Sequence, residues 1–521
     1  MSTRRSAHLH TALCCALAPF AAASARGADL GAEIRGIVSA SKLRATDVGI
    51  SVVEALAPTG SDPILAGLND ATPFIPASNL KVITTAAAIE TLGAGFAFET
   101  HLILSQSARG NTLTLVGSGD PALFDPELRQ ADGRHGNWTT VDACAKAWAD
   151  SLARAGIREI AELVVDGRIF DAESTPSGDS KWRSNEHAGV YAVGVWGLNI
   201  AANAAQLTPR HNPGGAPTIA SIEPPFPLKV ATGRNSATCD ARRADNFTIA
   251  YEPDRQSLRF AGNLRQRAQA LELGIHDPLP LSAEMFARLL TENGVRVGSW
   301  RVAQQTDPAA IGPSVDPVLR TPIETVLRGA NTMSKNICAE ALIKRIGAKS
   351  ANPAERPIGP DFVPGSWANG NAALRDALER RLGSGCTGAL CMRDGSGLSD
   401  ANRTTPALTA RLLATFAADE AIRRVYFMSF ARPRQPGTLQ KRFAGVDLRD
   451  AEVFAKSGYI DGACCLSGIV IGPTGRTVAF SVLCNKVRDG EVGEAKQLHE
   501  RIVAAIAREI SPPAVRTAQG G

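Results

Sequence analysis

Three short motifs hold most of the chemical content of this chain: Ser78-Asn79-Leu80-Lys81, Ser334-Lys335-Asn336 and Lys456-Ser457-Gly458, in that order. A serine hydroxyl is a weak nucleophile until a neighbouring base takes its proton. If a helix is entered at Ser78, Lys81 stands one turn on and the two side chains share a face. The hydroxyl then lies near the positive end of the helix dipole. A lysine works as that base only when its pKa falls well below about 10.4. Burial and a nearby cation such as Lys456 both push it down. Ser334 and Asn336 are two apart in an extended stretch, so they project the same way. Ser334 is suited to relay a proton and Asn336 to hydrogen-bond an amide. Lys456 and Ser457 suit a carboxylate by charge and hydrogen bond, and Gly458 lets a substrate backbone come close. The amides of Ser78 and Tyr459 are the candidate oxyanion donors.

Each motif alone has an ordinary explanation. Ser78, Ser334 and Asn336 are good helix caps, and Lys456 reads equally as a surface lysine at a strand end. Ser39 and Lys42 also fit Ser-x-x-Lys, but polar residues flank them and a strand follows. Lys-[Ser/Thr]-Gly occurs once. Order, spacing and context carry the weight.

The elements that must position these residues are partly readable. Asp47–Leu56 is β-branched and leads to a Pro-Thr-Gly turn, which predicts a strand. Phe74–Gly93 has near-helical apolar spacing and a terminal glycine. Helices are predicted at Ser282–Asn293, Ile323–Leu327 and Lys335–Ile346, and a last amphipathic one at Glu494–Ile510. A strand is predicted at Glu452–Tyr459. A hairpin follows, with strands 464–471 and 477–484 around Pro473–Arg476. A two- or four-residue loop there sets Cys465 opposite Cys484 and turns Cys464 to the other face. Whether that pair bridges or packs as two thiols is left open. Ala351–Gly370 reads as loop. The stretch 96–280, with short strands at Leu113–Val116 and Leu163–Val165, reads as one or two inserted β-rich domains.

Bulk properties exclude several classes. At 521 residues the chain exceeds one ordinary core, since a domain takes roughly 150 residues. Its 44% hydrophobic and 21% charged residues are ordinary for a globular protein. The net charge of +5 is diffuse, without a basic stripe, so nucleic acid is not an expected partner. Arg4 and Arg5, the apolar run Thr11–Ala23 and Ala23-Ser24-Ala25 predict a cleaved signal peptide over 1–25. The run is too short for a comfortable transmembrane anchor. Periplasmic or otherwise extracytoplasmic placement follows. Paired Cys-x-x-Cys spacing and His-Glu-x-x-His are absent, so neither metal nor other cofactor is expected. The tail 511–521 reads as disordered.

These segments together resemble the D-alanyl-D-alanine carboxypeptidase/endopeptidase family, the low-molecular-mass penicillin-binding proteins with inserted domains. FIPASNLKVITTAAAIETLG resembles its active-site helix, and NTMSKNICAEALIKRIG the region of its second motif. MRDGSGLSDANRTTP, GTLQKRF and AKSGYIDGACCLSGIVIGPTGRTVAF resemble further family segments, and LTLVGSGDPAL and LVVDGRIFD resemble parts of the insertion. The resemblance covers most of 45–505 and is thinnest over 172–245. It implies an α/β (α+β) fold, a penicillin-recognising serine DD-peptidase/β-lactamase-like core with an antiparallel sheet and flanking helices. It implies a catalytic domain from 29–95 and 281–510, an inserted domain from 96–170 and 246–280, and a second from 171–245. It also implies cleavage of peptidoglycan stem peptides through an acyl-enzyme on Ser78, inhibited by β-lactams. Three positions depart from the family pattern: Lys335 where Asp is frequent, Ser457 where Thr is commoner, and the bulky Tyr459 after the glycine. The alternatives are a β-lactamase or esterase on the same core, which the large insertion disfavours, and a non-catalytic peptidoglycan-binding protein, which retention of all three motifs disfavours. The oligomeric state is left open.

Overall fold

The strand Val48–Glu54 (VGISVVE) is buried along nearly its whole length rather than on alternate residues. Gly462–Ile471 and Thr477–Val487 show the same pattern. A strand buried on both faces needs cover on both sides. These three are the central strands of a five-stranded antiparallel sheet ordered 452–460, 462–471, 477–487, 48–54, 64–68. On one face, the helices at 30–39 and Val492–Ile510 supply Leu30, Ile34, Leu498, Ile502 and Ile506 against Val48, Ile50, Val52 and Val482. On the other, the helix Pro406–Ala418 packs directly on the strands, and Leu80–Leu92, Asn336–Ala351 and Trp367–Leu382 pack with it and with one another in the core that includes Val53, Ile469 and Ala479. The motif-bearing elements therefore sit where the second helical layer meets the strand Glu452–Ile460.

This arrangement comes from a computed structural model that describes residues 30–511, apart from 57–62, 108–109, 131–139, 180–181, 183–188, 232–234, 253–256, 266–268 and 355–356. The signal peptide expected over 1–25 and the tail beyond 511 lie outside the described residues. Among the described residues no helix is long and apolar enough to cross a membrane. None of them forms a cluster of three or more His, Cys, Asp or Glu able to hold a metal ion.

The stretch between the first two motifs builds a second five-stranded sheet, ordered 296–302, 159–166, 110–116, 97–107, 314–322. The helices Val141–Arg154 and Pro278–Glu292 pack on it through Trp148 and Phe286. The sheet runs past residue 281, the boundary expected from sequence, because Arg296–Val302 pairs parallel with Glu159–Asp166 and Ser314–Pro322 pairs antiparallel with Ala97–Ser107. This part is mixed α/β rather than purely β-rich. Two three-stranded sheets lie between, one from 204–210, 218–223 and 271–274 and one from 229–230, 248–252 and 257–261.

The hairpin register differs by one residue from the expectation. Cys464, not Cys465, lies opposite Cys484, and Cys465 pairs with Leu483. The turn explains the shift. Gly472 donates to Arg476 O at 2.8 Å and Gly475 to Gly472 O at 2.9 Å, with Gly475 at φ +85°. This is a three-residue loop with a left-handed glycine. An odd loop moves the pairing by one, so Cys465 turns to the other face, where its Sγ contacts Ile75 O at 3.6 Å. Cys464 and Cys484 are both buried free thiols.

Candidate active site

Pro76 leads into a 3-10 turn at Ala77–Asn79, and the α-helix Leu80–Leu92 continues from it to Gly93. Ser78 thus sits in the tight turn rather than in the α-helix proper. Ala77 has φ +47°, a left-handed conformation without a glycine. Such strain persists where the surroundings over-determine it. Here Gly397 presses so close that a Cβ on it would lie 1.8 Å from Ala77 O.

Lys81 is buried, with Nζ at 3.0 Å from Ser78 Oγ, 2.7 Å from Asn336 Oδ1 and 2.8 Å from Ser396 O. Burial lowers its pKa to about 8, while the negative charges of Glu340 and Asp394 limit the fall. A neutral amine has two N–H groups and one lone pair. Asn336 Oδ1 and Ser396 O can only accept, so they take both hydrogens. The lone pair is left for the Ser78 hydroxyl. Asn336 is itself fixed, donating through Nδ2 to Tyr191 O at 2.8 Å.

The third motif arrives on the edge strand Glu452–Ile460. Lys456 is buried and donates to Ser334 Oγ at 2.9 Å and to Ser457 O at 2.6 Å. Its pKa falls well below the ordinary lysine value through burial, and further through the Lys81 charge. Ser334 has φ +64°, a second left-handed non-glycine in the site. Gly458 faces the 3-10 turn so closely that a Cβ there would lie 3.0 Å from both Asn79 N and Pro76 O. Tyr459 is half exposed beside it.

The structure thus places Ser78, Lys81 and Asn336 in one hydrogen-bonded group and Ser334 with Lys456 in a second, with Ser457, Gly458 and Tyr459 on the strand that carries Lys456. Lys335 turns away. Its Nζ bridges Asp125 and Glu127 at 2.9 Å each, which raises its pKa against the pull of burial. The residue that departs from the family pattern is therefore a tie to the inserted region. A cleft of about 900 Å³ opens beside Ser334 and Asn336, with Tyr191, Glu223 and Glu272 among its walls.

Sequence reasoning missed the buried carboxylate of Glu340 and, although it placed Asp394 at the start of a family segment lining the site, gave the Asp394 carboxylate no part; both lie close enough to Lys81 to act on its charge. The signal for Glu340 was present: it stands four residues after Asn336, on the same helix face, among apolar neighbours. Burial raises the pKa of both, that of Glu340 to about 7.

A buried lysine bonded to a serine at a helix start, with a second lysine bonded to the Ser-x-Asn corner, defines a serine acyl-transfer hydrolase of the penicillin-recognising fold. A family profile described as the D-Ala-D-Ala carboxypeptidase 3 (S13) family matches residues 30–507, and the chain belongs to that family. It is thereby a serine-type carboxypeptidase. A D-alanyl-D-alanine carboxypeptidase from Actinomadura sp. is 27% identical over 493 residues, covering 89% of this chain and 82% of that one. Penicillin-binding protein 4 from Haemophilus influenzae has a similar crystal structure, at 21% identity and TM-score 0.67, covering 93% of this chain and 98% of that one. The same protein complexed with a β-lactam matches at 21% identity and TM-score 0.64, covering 91% and 98%. At that identity the likeness speaks for the fold.

Proposed function

We propose that Ser78 is the acylated nucleophile and Lys81 its base. The substrates are the D-Ala-D-Ala ends or D-amino-acid cross-links of peptidoglycan peptides, outside the cytoplasm. The Ser78 proton passes to Lys81 Nζ as Oγ bonds to the scissile carbonyl carbon. The amides of Ser78 and Tyr459 receive the oxyanion. Lys81 passes that proton on through Ser334, which is bonded to Lys456, to the leaving amine and so regains its neutral form, while Lys456 and Ser457 hold the substrate carboxylate and Asn336 its amide. Water then releases the acyl group. β-Lactams enter the same path, because they present a strained acyl group and a carboxylate in similar positions. The observation that carries this reading is the buried Lys81 amine at 3.0 Å from Ser78 Oγ with both other neighbours acting as acceptors. Family membership supports the substrate class.

Intact-mass spectrometry after benzylpenicillin treatment tests it. One adduct is expected, on the peptide containing Ser78, together with turnover of a cross-linked muropeptide. An adduct elsewhere, or none on folded protein, overturns the assignment.

A further inference from the structure

Three groups surround the Lys81 amine, and two of them, Ser78 and Asn336, belong to the short motifs. The third is the Ser396 carbonyl. The direction of a backbone carbonyl is set by the peptide planes around it, and here carboxylates pin those planes. Glu340 Oε2 accepts from Gly395 N at 2.9 Å and from Trp367 Nε1 at 2.7 Å, while Oε1 accepts from Ser396 N at 2.8 Å. Asp394 continues the pattern. Its Oδ1 accepts from Gly397 N at 2.7 Å and Asn402 Nδ2 at 2.9 Å, and its Oδ2 from Ser399 N at 2.7 Å and Trp182 Nε1 at 3.0 Å. The amides of Gly395, Ser396, Gly397 and Ser399 therefore all end on two buried carboxylates. Thr84 Oγ1, from the Ser78 helix, donates to Gly395 O at 2.7 Å and fixes the same turn from below.

We infer that Glu340 is a positioning residue for acylation: backed by Asp394, it holds the Ser396 carbonyl on Lys81 so that the amine's lone pair is left for Ser78. The inference rests on the reading of Lys81 as base. When the Ser78 proton reaches Nζ and Oγ bonds to the acyl carbon, the bonds to Asn336 Oδ1 and Ser396 O survive unchanged. The amine does not need to turn. Glu340 also faces the charges of Asp394, Lys81 and Lys344, and its own negative charge favours the ammonium form of Lys81. Glutamine cannot substitute, because each Glu340 oxygen meets N–H donors and an NH₂ placed there opposes at least one of them.

The test compares Glu340→Gln and Glu340→Asp with the parent. The measurements are the acylation rate constant with a chromogenic cephalosporin between pH 6 and 9.5, and thermal melting. Glu340→Gln is expected to lower the alkaline plateau about 10- to 100-fold, as misplacing a reacting group does. Its pH midpoint should also move down, because a charge favouring the ammonium is gone. Glu340→Asp keeps the charge and shortens the reach, so its plateau falls while its midpoint stays. A support role in folding alone moves neither midpoint. Folded Glu340→Gln acylating at the parental rate with the parental midpoint overturns the inference. So does a loss in both variants that only tracks the fraction of folded protein. A parent that forms no adduct at all instead overturns the base reading on which the inference stands.

Discussion

On the proposed mechanism the pKa of Lys81, lowered by burial to about 8, sets the pH profile of acylation. The proposed base acts as the neutral amine, so the rate is expected to rise as pH climbs through the pKa. At pH 7 roughly one tenth of the protein holds a neutral Lys81, at pH 9 about nine tenths; an unperturbed lysine would be neutral in only about three molecules in ten thousand at pH 7. The second-order acylation rate with a chromogenic cephalosporin is therefore expected to rise about tenfold from pH 7 to pH 9 and to level off above. Lys81→Arg removes the effect, because a guanidinium stays protonated in this range. That variant should acylate at least ~10²-fold more slowly at every pH, with melting measured alongside to establish that it folds. A profile flat from pH 6.5 to 9 refutes the reasoning, because it means that Lys81 does not titrate on the path to the acyl-enzyme. A midpoint below pH 6 points to a carboxylate or histidine base and refutes it equally.

Two further outcomes follow from the packing. Gly458→Ala places a Cβ 3.0 Å from Asn79 N and Pro76 O, both backbone atoms that cannot swing aside. The edge strand must move off the Ser78 turn, and acylation should fall by about 10-fold or more with little change in melting. Tyr426 is buried and donates to Val82 O at 2.7 Å. Tyr426→Phe should lower unfolding free energy by about 1 kcal/mol in a denaturant titration while leaving the acylation rate within twofold.

The motifs were legible because acyl transfer demands particular side chains at short, fixed spacing. The strands Glu452–Ile460 and Gly462–Ile471 were legible because β-branched runs bounded by turns have few other uses. Three features were not. The helix Trp367–Leu382 begins inside a stretch that reads as loop, since Asn369, Gly370 and Asn371 are poor helix formers. The structure shows why the glycine is there: a Cβ at Gly370 would lie 2.3 Å from Ile343 O on the neighbouring helix. Contact between two helices overrides propensity. The helix Val141–Arg154 buries Val141, Cys144, Ala145, Trp148, Ala149 and Leu152, a helical spacing that the sequence holds but that is easily passed over because three of the six side chains are small. The hairpin register turned on one left-handed glycine, which a turn sequence allows but does not require.

The site also runs against the stability of the fold. Lys81 and Lys456 are fully buried amines, and burial lowers both pKa values. For Lys81 the folded chain binds its proton less well than the unfolded chain, so the group contributes least to stability at neutral pH. The opposition eases as pH rises from about 8 toward 10.5. Burying Glu340 and Asp394 nearby carries its own desolvation cost. Hydrogen bonds answer each of these groups: three for Lys81, two for Lys456, three for Glu340 and four for Asp394. Such a network is stable only when nearly every member is satisfied. This explains why the turn at 394–399 is so heavily tied. A looser turn would leave a buried charge without a partner and free the Lys81 amine to rotate away from Ser78. On the proposed mechanism, the bonds that make the buried charges tolerable are the same bonds that aim the base.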